Sequence, residues 1–542
     1  MTKGIYITSI EDHSGKSLIS LGLMQNLLGI MPRVGFFRPI VEFAESDNHS
    51  KIMKSYFNLK QEYDDMIGIS RTQLIHMLNQ GKTGEIIDLL ISKYKKIEES
   101  NDFVLVEGTD YVGEGNLVEL DLNVLIAKNL GLQVILIGNG LGKSKEELTT
   151  KLQMAFNSYE NKEVEILAII NNKIKKENLE IANKAMREFL PADVEAYAVP
   201  RIATLLNPTM AEINDYLGGK VLFGEDYLEN QVGSIGVGAM QLRNYLNQIR
   251  QENLVITPGD RADIILGVLQ ANISKNYPRI SGIILTGGLI PEDPIIKLIE
   301  GLPNTVPIIS VEEGTFQIAN KVGGIKSNIY EKSNRKIQTS IETFENYVPI
   351  KELLEKLMSF ENKVITPRMF QYDLISRARK SKKHIVLPEG YDERILNAAA
   401  RLVDADLVNI TLLGNEDKIR EIVKEKGIKL NFEKVLIINP VTSSYFDDYV
   451  QTIYELRKHK NINMDIARDL MSDVSYFGTM MIHKGHADGM VSGAMHTTQH
   501  TIRPALQFIK TKPGINLVSS VFFMCLEDRV SVFGDCAINP NP

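Results

Sequence analysis

Cysteine is almost missing from this chain. Two residues, Cys525 and Cys536, in 542 cannot build a disulfide framework and fit a reducing compartment. Charge of one sign is also missing: 61 Lys and Arg stand against 68 Asp and Glu, a net charge of -7, and nothing in that balance suits nucleic acid. No apolar run is long enough to span a membrane, and Met1-Thr-Lys-Gly-Ile-Tyr-Ile-Thr8 enters a strand pattern at once, without a charged and then apolar leader. A cytoplasmic protein with no membrane partner is expected. Five of the nine histidines fall between His459 and His500, and His483-x-x-His486 and His496-x-x-x-His500 are spacings a metal could use. With no HExxH or CxxC signature beside them, no metal site is expected. Low-complexity segments and short internal repeats are absent too.

What remains is an ordinary α/β composition, 44% hydrophobic and 24% charged. A chain of 542 residues exceeds one core, and three domains are expected. Up to about residue 200, short β-branched runs at 4–8, 33–37, 103–107, 133–137, 165–170 and 195–199 alternate with helical segments, the pattern of a doubly wound parallel sheet. After the first run comes Ser9-Ile-Glu-Asp-His-Ser-Gly15-Lys16-Ser17, with a helix from Ser17, in the position of a P-loop. A second α/β unit then runs Val255-Ile256 into Pro258-Gly259-Asp260-Arg261 and Gly282-Ile-Ile-Leu285 into Thr286-Gly-Gly288. Its glycine loop suits either a ligand or plain turn chemistry. The polar stretch 331–339, with Pro349 and Pro367 after it, reads as a linker region. The expected division is 1–215, 216–347, a linker at 348–366, and 367–542.

The most informative stretch is 471–513. Apolar residues at helical spacing from Met471 to about Lys484 end at Gly485, as at a helix C-terminus. A short strand, Gly489-Met-Val-Ser-Gly493, leads into His496-Thr-Thr-Gln-His-Thr501 and a helix opening at Ile502-Arg503-Pro504. Ser492, Thr497, Thr498 and Arg503 thereby come to the carboxyl end of a strand and the start of a helix, the crevice where parallel α/β sheets bind ligands. Backbone N–H groups, threonine hydroxyls and a guanidinium suit phosphate or another anion. The same Thr-Thr pair also suits an ordinary N-cap.

Together with Ile385-Val-Leu-Pro-Glu-Gly390, Asp392, Arg394, Tyr454-Glu-Leu-Arg457-Lys-His-Lys460, Ser519-Ser-Val-Phe-Phe523, Phe533-Gly-Asp535 and Asn539-Pro-Asn-Pro542, this stretch resembles the catalytic domain of the phosphate acetyltransferases. The resemblance implies reversible acetyl transfer between coenzyme A and phosphate, with acetyl-CoA, CoA, phosphate and acetyl phosphate as ligands. It further implies no cofactor for the transfer, a homo-oligomer, and coupling to acetate kinase. Arg457 and Arg503 match the family's two substrate arginines, and Thr498 a hydroxyl of the same site. The middle unit resembles the Asp-Arg/Thr-Gly-Gly domain of the long members. The first unit resembles dethiobiotin synthetases, with Ser9 where their first glycine stands, Arg38-Pro39 in place of a Lys-Pro pair, and Glu107-Gly108 like their magnesium-side element. That implies a nucleotide with magnesium at Gly15, Lys16, Ser17 and Glu107, or a P-loop-type domain kept for assembly or regulation. The family's later Ser-Tyr-Ser-Thr loop and its near-terminal Ser-Arg and Asp, to which it assigns transition-state binding and thiol deprotonation, have no counterpart before Pro542. A chain cut within its catalytic domain is therefore expected, inactive alone, with strands at 519–523 and 530–533 left uncovered. A nucleotide-sensing regulatory protein with a degenerate acyltransferase remnant, and a ligase centred on Lys16, remain as alternatives.

Overall fold

The computed structural model describes residues 4–109, 116–362 and 364–536 and falls into two compact units, Met1–Lys363 and Val364–Pro542. In the first, β1 (Gly4–Ser9), β2 (Val34–Val41), β3 (Ile67–Ser70), β4 (Phe103–Glu107), β5 (Gln133–Asn139), β6 (Ile166–Ile174) and β7 (Glu195–Pro200) form one parallel sheet in the order β3-β2-β4-β1-β5-β6-β7. Strands β1, β2 and β4 are buried from end to end, which is why they read as continuous apolar runs instead of alternating ones. Because β1 lies between β4 and β5, the chain leaving it fills the crevice at their carboxyl ends before helix Lys16–Ile30 begins.

A second sheet of the same unit contains β8 (Lys220–Phe223), β9 (Ser234–Val237), β10 (Asn253–Pro258), β11 (Ile280–Thr286) and β12 (Ile308–Ser310), in the order β8-β12-β11-β10-β9, with β8 antiparallel to β12. The Gly287-Gly288 pair after β11 has φ of 82° and 66°, so left-handed turn geometry selects glycine there.

The residues expected to link the units pack instead against the first sheet's core. Helices Asn334–Tyr347 and Ile350–Ser359 bury Ile337, Phe344, Leu353 and Leu357 in the cluster around β1 and helix Lys16–Ile30. Apolar residues at 337, 341, 344 and at 353, 357 keep helical spacing, a stripe masked by the polar residues between them. The contact is close: a Cβ at Gly22 would lie 2.4 Å from the Cβ of Phe344.

The second unit is built on β13 (His384–Leu387), β14 (Asn409–Leu413), β15 (Val435–Ile438) and β16 (Gly489–Met490), parallel in the order β15-β14-β13-β16. The expected single helix from Met471 is broken at Asp473, whose carboxylate accepts from the backbone N–H of Ser475 (2.9 Å) and Tyr476 (3.1 Å) and starts helix Val474–His483. Gly485 follows that helix at φ 75°. The last two strands do not join the parallel sheet. β17 (Val521–Cys525) and β18 (Val530–Gly534) form an antiparallel hairpin of their own, since the four residues between them are far too few for a parallel crossover. Val521, Phe522, Phe523, Val532 and Phe533 on it are exposed. Among the described residues, no helix is long and apolar enough to cross a membrane.

Candidate active site

The crevice at the carboxyl ends of β13 and β16 is organised by Glu389. Its side chain is buried, and its two oxygens accept from four successive backbone N–H groups: Gly493 (3.0 Å), Ala494 (2.9 Å), Met495 (2.6 Å) and His496 (2.8 Å). Burial by itself raises the Glu389 pKa, but the four donors, Met495 foremost, outweigh it and hold the carboxyl below its ordinary value. Arg394 adds a bond to the carbonyl of Ala494 (2.5 Å) while its guanidinium pairs with Asp392 (2.8 Å). The N–H groups of Gly493 to His496, just ahead of helix Thr498–Pro504, are thus occupied by an internal carboxylate. The loop is a preformed turn, not an open nest.

That turn carries the expected hydroxyls. Ser492 lies 3.5 Å from Thr501 Oγ1. Thr497 is the N-cap, its hydroxyl accepting from the N–H of His500 (3.3 Å), so for this residue the capping role is realised. Thr498 follows it, exposed. The stacked rings of His496 and His500 lie 4.7 Å apart, and each faces a carboxylate: Glu389 3.0 Å from His496 Nδ1 and Asp473 3.0 Å from His500 Nε2.

Arg457 ends helix Phe446–Arg457, and Arg503 lies in the last turn of helix Thr498–Pro504. Tyr476 is linked to Arg457 through Gln507. Its hydroxyl donates to Gln507 Oε1 (3.1 Å), and the carbonyl of Gln507 accepts from Arg457 Nη1 (3.2 Å). Burial raises the Tyr476 pKa, while the positive charges of Arg503 and Arg457 oppose the rise. Arg457 Nε is buried with no hydrogen-bond partner among the described residues, and such a donor is costly unless a ligand completes it. Past Pro504 the helix widens into a π-turn, Ala505–Ile509, which brings Gln507 to this position.

Tyr476, Gln507 and Glu389 were not singled out from the sequence. Glu389 could have been, as an acidic residue between Pro388 and Gly390 at a strand's carboxyl end. Tyr476 and Gln507 carried no such signal, because a tyrosine on an apolar helix and a glutamine past a proline look like core and surface.

At the first unit's loop, Gly15 adopts φ 87° just before helix Lys16–Ile30. A cavity of about 310 Å³ is lined by Gly15, Lys16, Ser17, His49 and Asn172 among others. The Lys16 ammonium is buried and donates to the carbonyls of Gly108 (2.7 Å) and Thr109 (2.6 Å). Ser17 Oγ sits 3.1 Å from His49 Nε2, and His49 Nδ1 2.5 Å from Glu107. The other Glu107 oxygen accepts from Ser20 (2.7 Å), and Arg38 Nε lies 3.7 Å from the carboxylate. Burial raises the Glu107 pKa, yet His49 first, then Arg38 and Lys16, bring it down to about 2. Glu107 is fully buried and does not line the cavity. Both its oxygens are engaged, so the residues do not fit a magnesium ion held through Glu107, contrary to the expectation from the sequence.

The phosphate acetyl/butaryl transferase family matches residues 369–542, a DRTGG domain matches 212–325 and an AAA domain 3–211. A phosphate acetyltransferase of Synechocystis sp. is 42% identical over 547 residues, with 100% of this chain and 78% of that protein covered. One of Nitratidesulfovibrio vulgaris is 42% identical over 556 residues, with the same coverage, 100% and 78%. A solved phosphotransacetylase from Streptococcus pyogenes is 41% identical, covering 33% of this chain and 54% of that one, with a TM-score of 0.31. With this level of identity along its whole length, the chain belongs to the phosphate acetyltransferase family of acyltransferases.

Proposed function

We propose that the second unit holds the substrate anions of reversible acetyl transfer between coenzyme A and phosphate at Arg457, Arg503, Ser492, Thr497 and Thr498. In that reaction a phosphate oxygen bonds to the acetyl carbon, the carbon–sulfur bond breaks, and coenzyme A leaves as a thiolate that is then protonated. No further cofactor is required, coenzyme A being a substrate. The tetrahedral species between the two carries an oxyanion beside a phosphate, so fixed cations placed in advance lower its energy. The single observation that carries this reading is the buried Arg457 Nε, which has no hydrogen-bond partner among the described residues although the same guanidinium is fixed by the Gln507 carbonyl. Glu389 supports it by fixing the turn that bears the hydroxyls. A chemical trap for acetyl phosphate, with acetyl-CoA and phosphate varied, tests it. Arg503→Ala should raise the KM of one anionic substrate by about ten- to hundredfold, the loss of a charge-assisted bond of about 1.5–3 kcal/mol. Unchanged constants would remove Arg503 from the site.

On the same reading the chain acts in the cytoplasm as a homo-oligomer functionally coupled to an acetate kinase. It is divided into a nucleotide-binding-type domain at 1–215, into whose core helices Asn334–Tyr347 and Ile350–Ser359 also pack, a middle domain that begins at 216 and the transferase domain from 367. A nucleotide phosphate would sit against Gly15, Lys16 and Ser17, with Lys16 exchanging its two carbonyl partners for phosphate oxygens. Calorimetry with ATP on the full chain and on Lys16→Ala tests that part, which fails if wild type gives no heat of binding or if Lys16→Ala binds as well.

A further inference from the structure

Another cavity of the first unit, about 510 Å³, opens beyond the carboxyl ends of β5 and β6. Its volume is within the range of small-molecule sites. Five of its lining residues are cations, Lys143, Lys145, Lys173, Lys175 and Arg201, and none is acidic. Two of the five have carboxylates nearby: Lys143 bonds to Glu11, and Lys145 lies 3.6 Å from Glu188. Lys173 reaches the carbonyl of His13. Lys175 and Arg201 have no carboxylate within ion-pair distance among the described residues. Burial and the neighbouring Lys151 bring the Lys143 ammonium down to about 8.

The second observation is Asn171 on β6. It is fully buried, lines this cavity, and neither its Oδ1 nor its Nδ2 has a hydrogen-bond partner among the described residues. A buried amide with both ends unsatisfied is rare in a folded protein and calls for a partner. The backbone beside it is irregular as well. The register of β6 against β7 shifts between Asn171 and Ile174, and Lys173 takes a left-handed φ of 62°. Bulges and strained non-glycine residues of this kind re-aim side chains at ligand sites.

We propose that this cavity binds a small oxyanion of two or more negative charges that also carries a hydroxyl. Its anionic oxygens face Lys175 and Arg201. One of them accepts from Asn171 Nδ2, and the hydroxyl donates to Asn171 Oδ1. Phosphate esters and hydroxylated polycarboxylates share that chemistry, and two probes separate them. Glycerol 3-phosphate and citrate are titrated calorimetrically into the full chain, with tricarballylate, which is citrate without its hydroxyl, as a third probe. At least one of the first two should bind with a Kd below about 1 mM. Its affinity should fall at least tenfold in Asn171→Leu and in the exposed double variant Lys175→Gln, Arg201→Gln, and stay unchanged in Lys16→Ala. If citrate is the ligand, tricarballylate should bind more weakly. Absence of binding by both probes, or affinity unaltered in the double variant, overturns the proposal. So does binding lost only in Lys16→Ala, which would place the anion in the other cavity.

Discussion

Replacing Glu389 by glutamine would set an amide NH2 against backbone N–H groups that now share one carboxylate. Four donors, at 3.0, 2.9, 2.6 and 2.8 Å, converge on its two oxygens, with Gly493 and Ala494 on one and Met495 and His496 on the other. A glutamine oxygen can keep one of those pairs, and the other is left facing donors. Bonds to a charged group contribute about 1.5–3 kcal/mol each, so losing two costs roughly 3–6 kcal/mol before the loop relaxes. Water cannot readily restore them, because the carboxylate is buried. Much of the loss should appear as opening of the turn, read by hydrogen exchange at 493–496. Protection there should fall by about a hundredfold or more, with a smaller drop in the unfolding free energy of the second unit. The pH dependence has a definite sign. The folded Glu389 pKa is lowered from 4.5, so its contribution is fully present above that value and is lost as pH falls through the folded pKa. Glu389→Gln should erase this acid sensitivity. Exchange at 493–496 as slow in Glu389→Gln as in wild type, or an unchanged acid dependence, would refute the role assigned to the carboxylate.

Leu353→Ala should cost about 2–5 kcal/mol in urea unfolding, since Leu353 is fully buried in the first core; a loss below about 0.5 kcal/mol would return helix Ile350–Ser359 to the status of a linker. Glu107, held at about 2 in the fold against 4.5 for a free carboxyl, stabilises the first unit above about pH 4.5 and ceases to do so as pH falls toward 2. Acid unfolding of that unit should therefore shift in Glu107→Gln, and identical acid midpoints would contradict the network around His49. The exposed apolar hairpin should promote self-association, so Phe523→Lys should lower the sedimentation-detected association of the chain; an unaltered profile would clear the hairpin.

The parallel sheets were legible because fully buried strands leave continuous β-branched runs that no helix face interrupts, as in β4 and β5. Less legible were β3, four residues long and containing a glycine, and the helices at 334–359, whose buried stripe is diluted by Lys, Glu, Asn and Thr. The hairpin Val521–Gly534 shows the limit of composition: apolar residues signalled strands, but loop length decided that they pair with each other. In the site, Arg457 and Arg503 stood out through a family likeness. The link from Arg457 through Gln507 to Tyr476 depends on helices from separate parts of the chain, and no local spacing encodes it. The role of Glu389 at the 493–496 loop could not be read from local sequence. Its donors look free in sequence because their acceptor is 104 residues away.

The most direct test of the account is the titration of coenzyme A into the full chain and into Arg457→Ala, Arg503→Ala and the double variant. Each single substitution should weaken binding by about ten- to hundredfold, the worth of one charge-assisted bond. Because both arginines are assigned to one anion site, the double variant should lose less than the sum of the two free energies. Wild-type affinity in both single variants would contradict the assignment of this crevice as the substrate site.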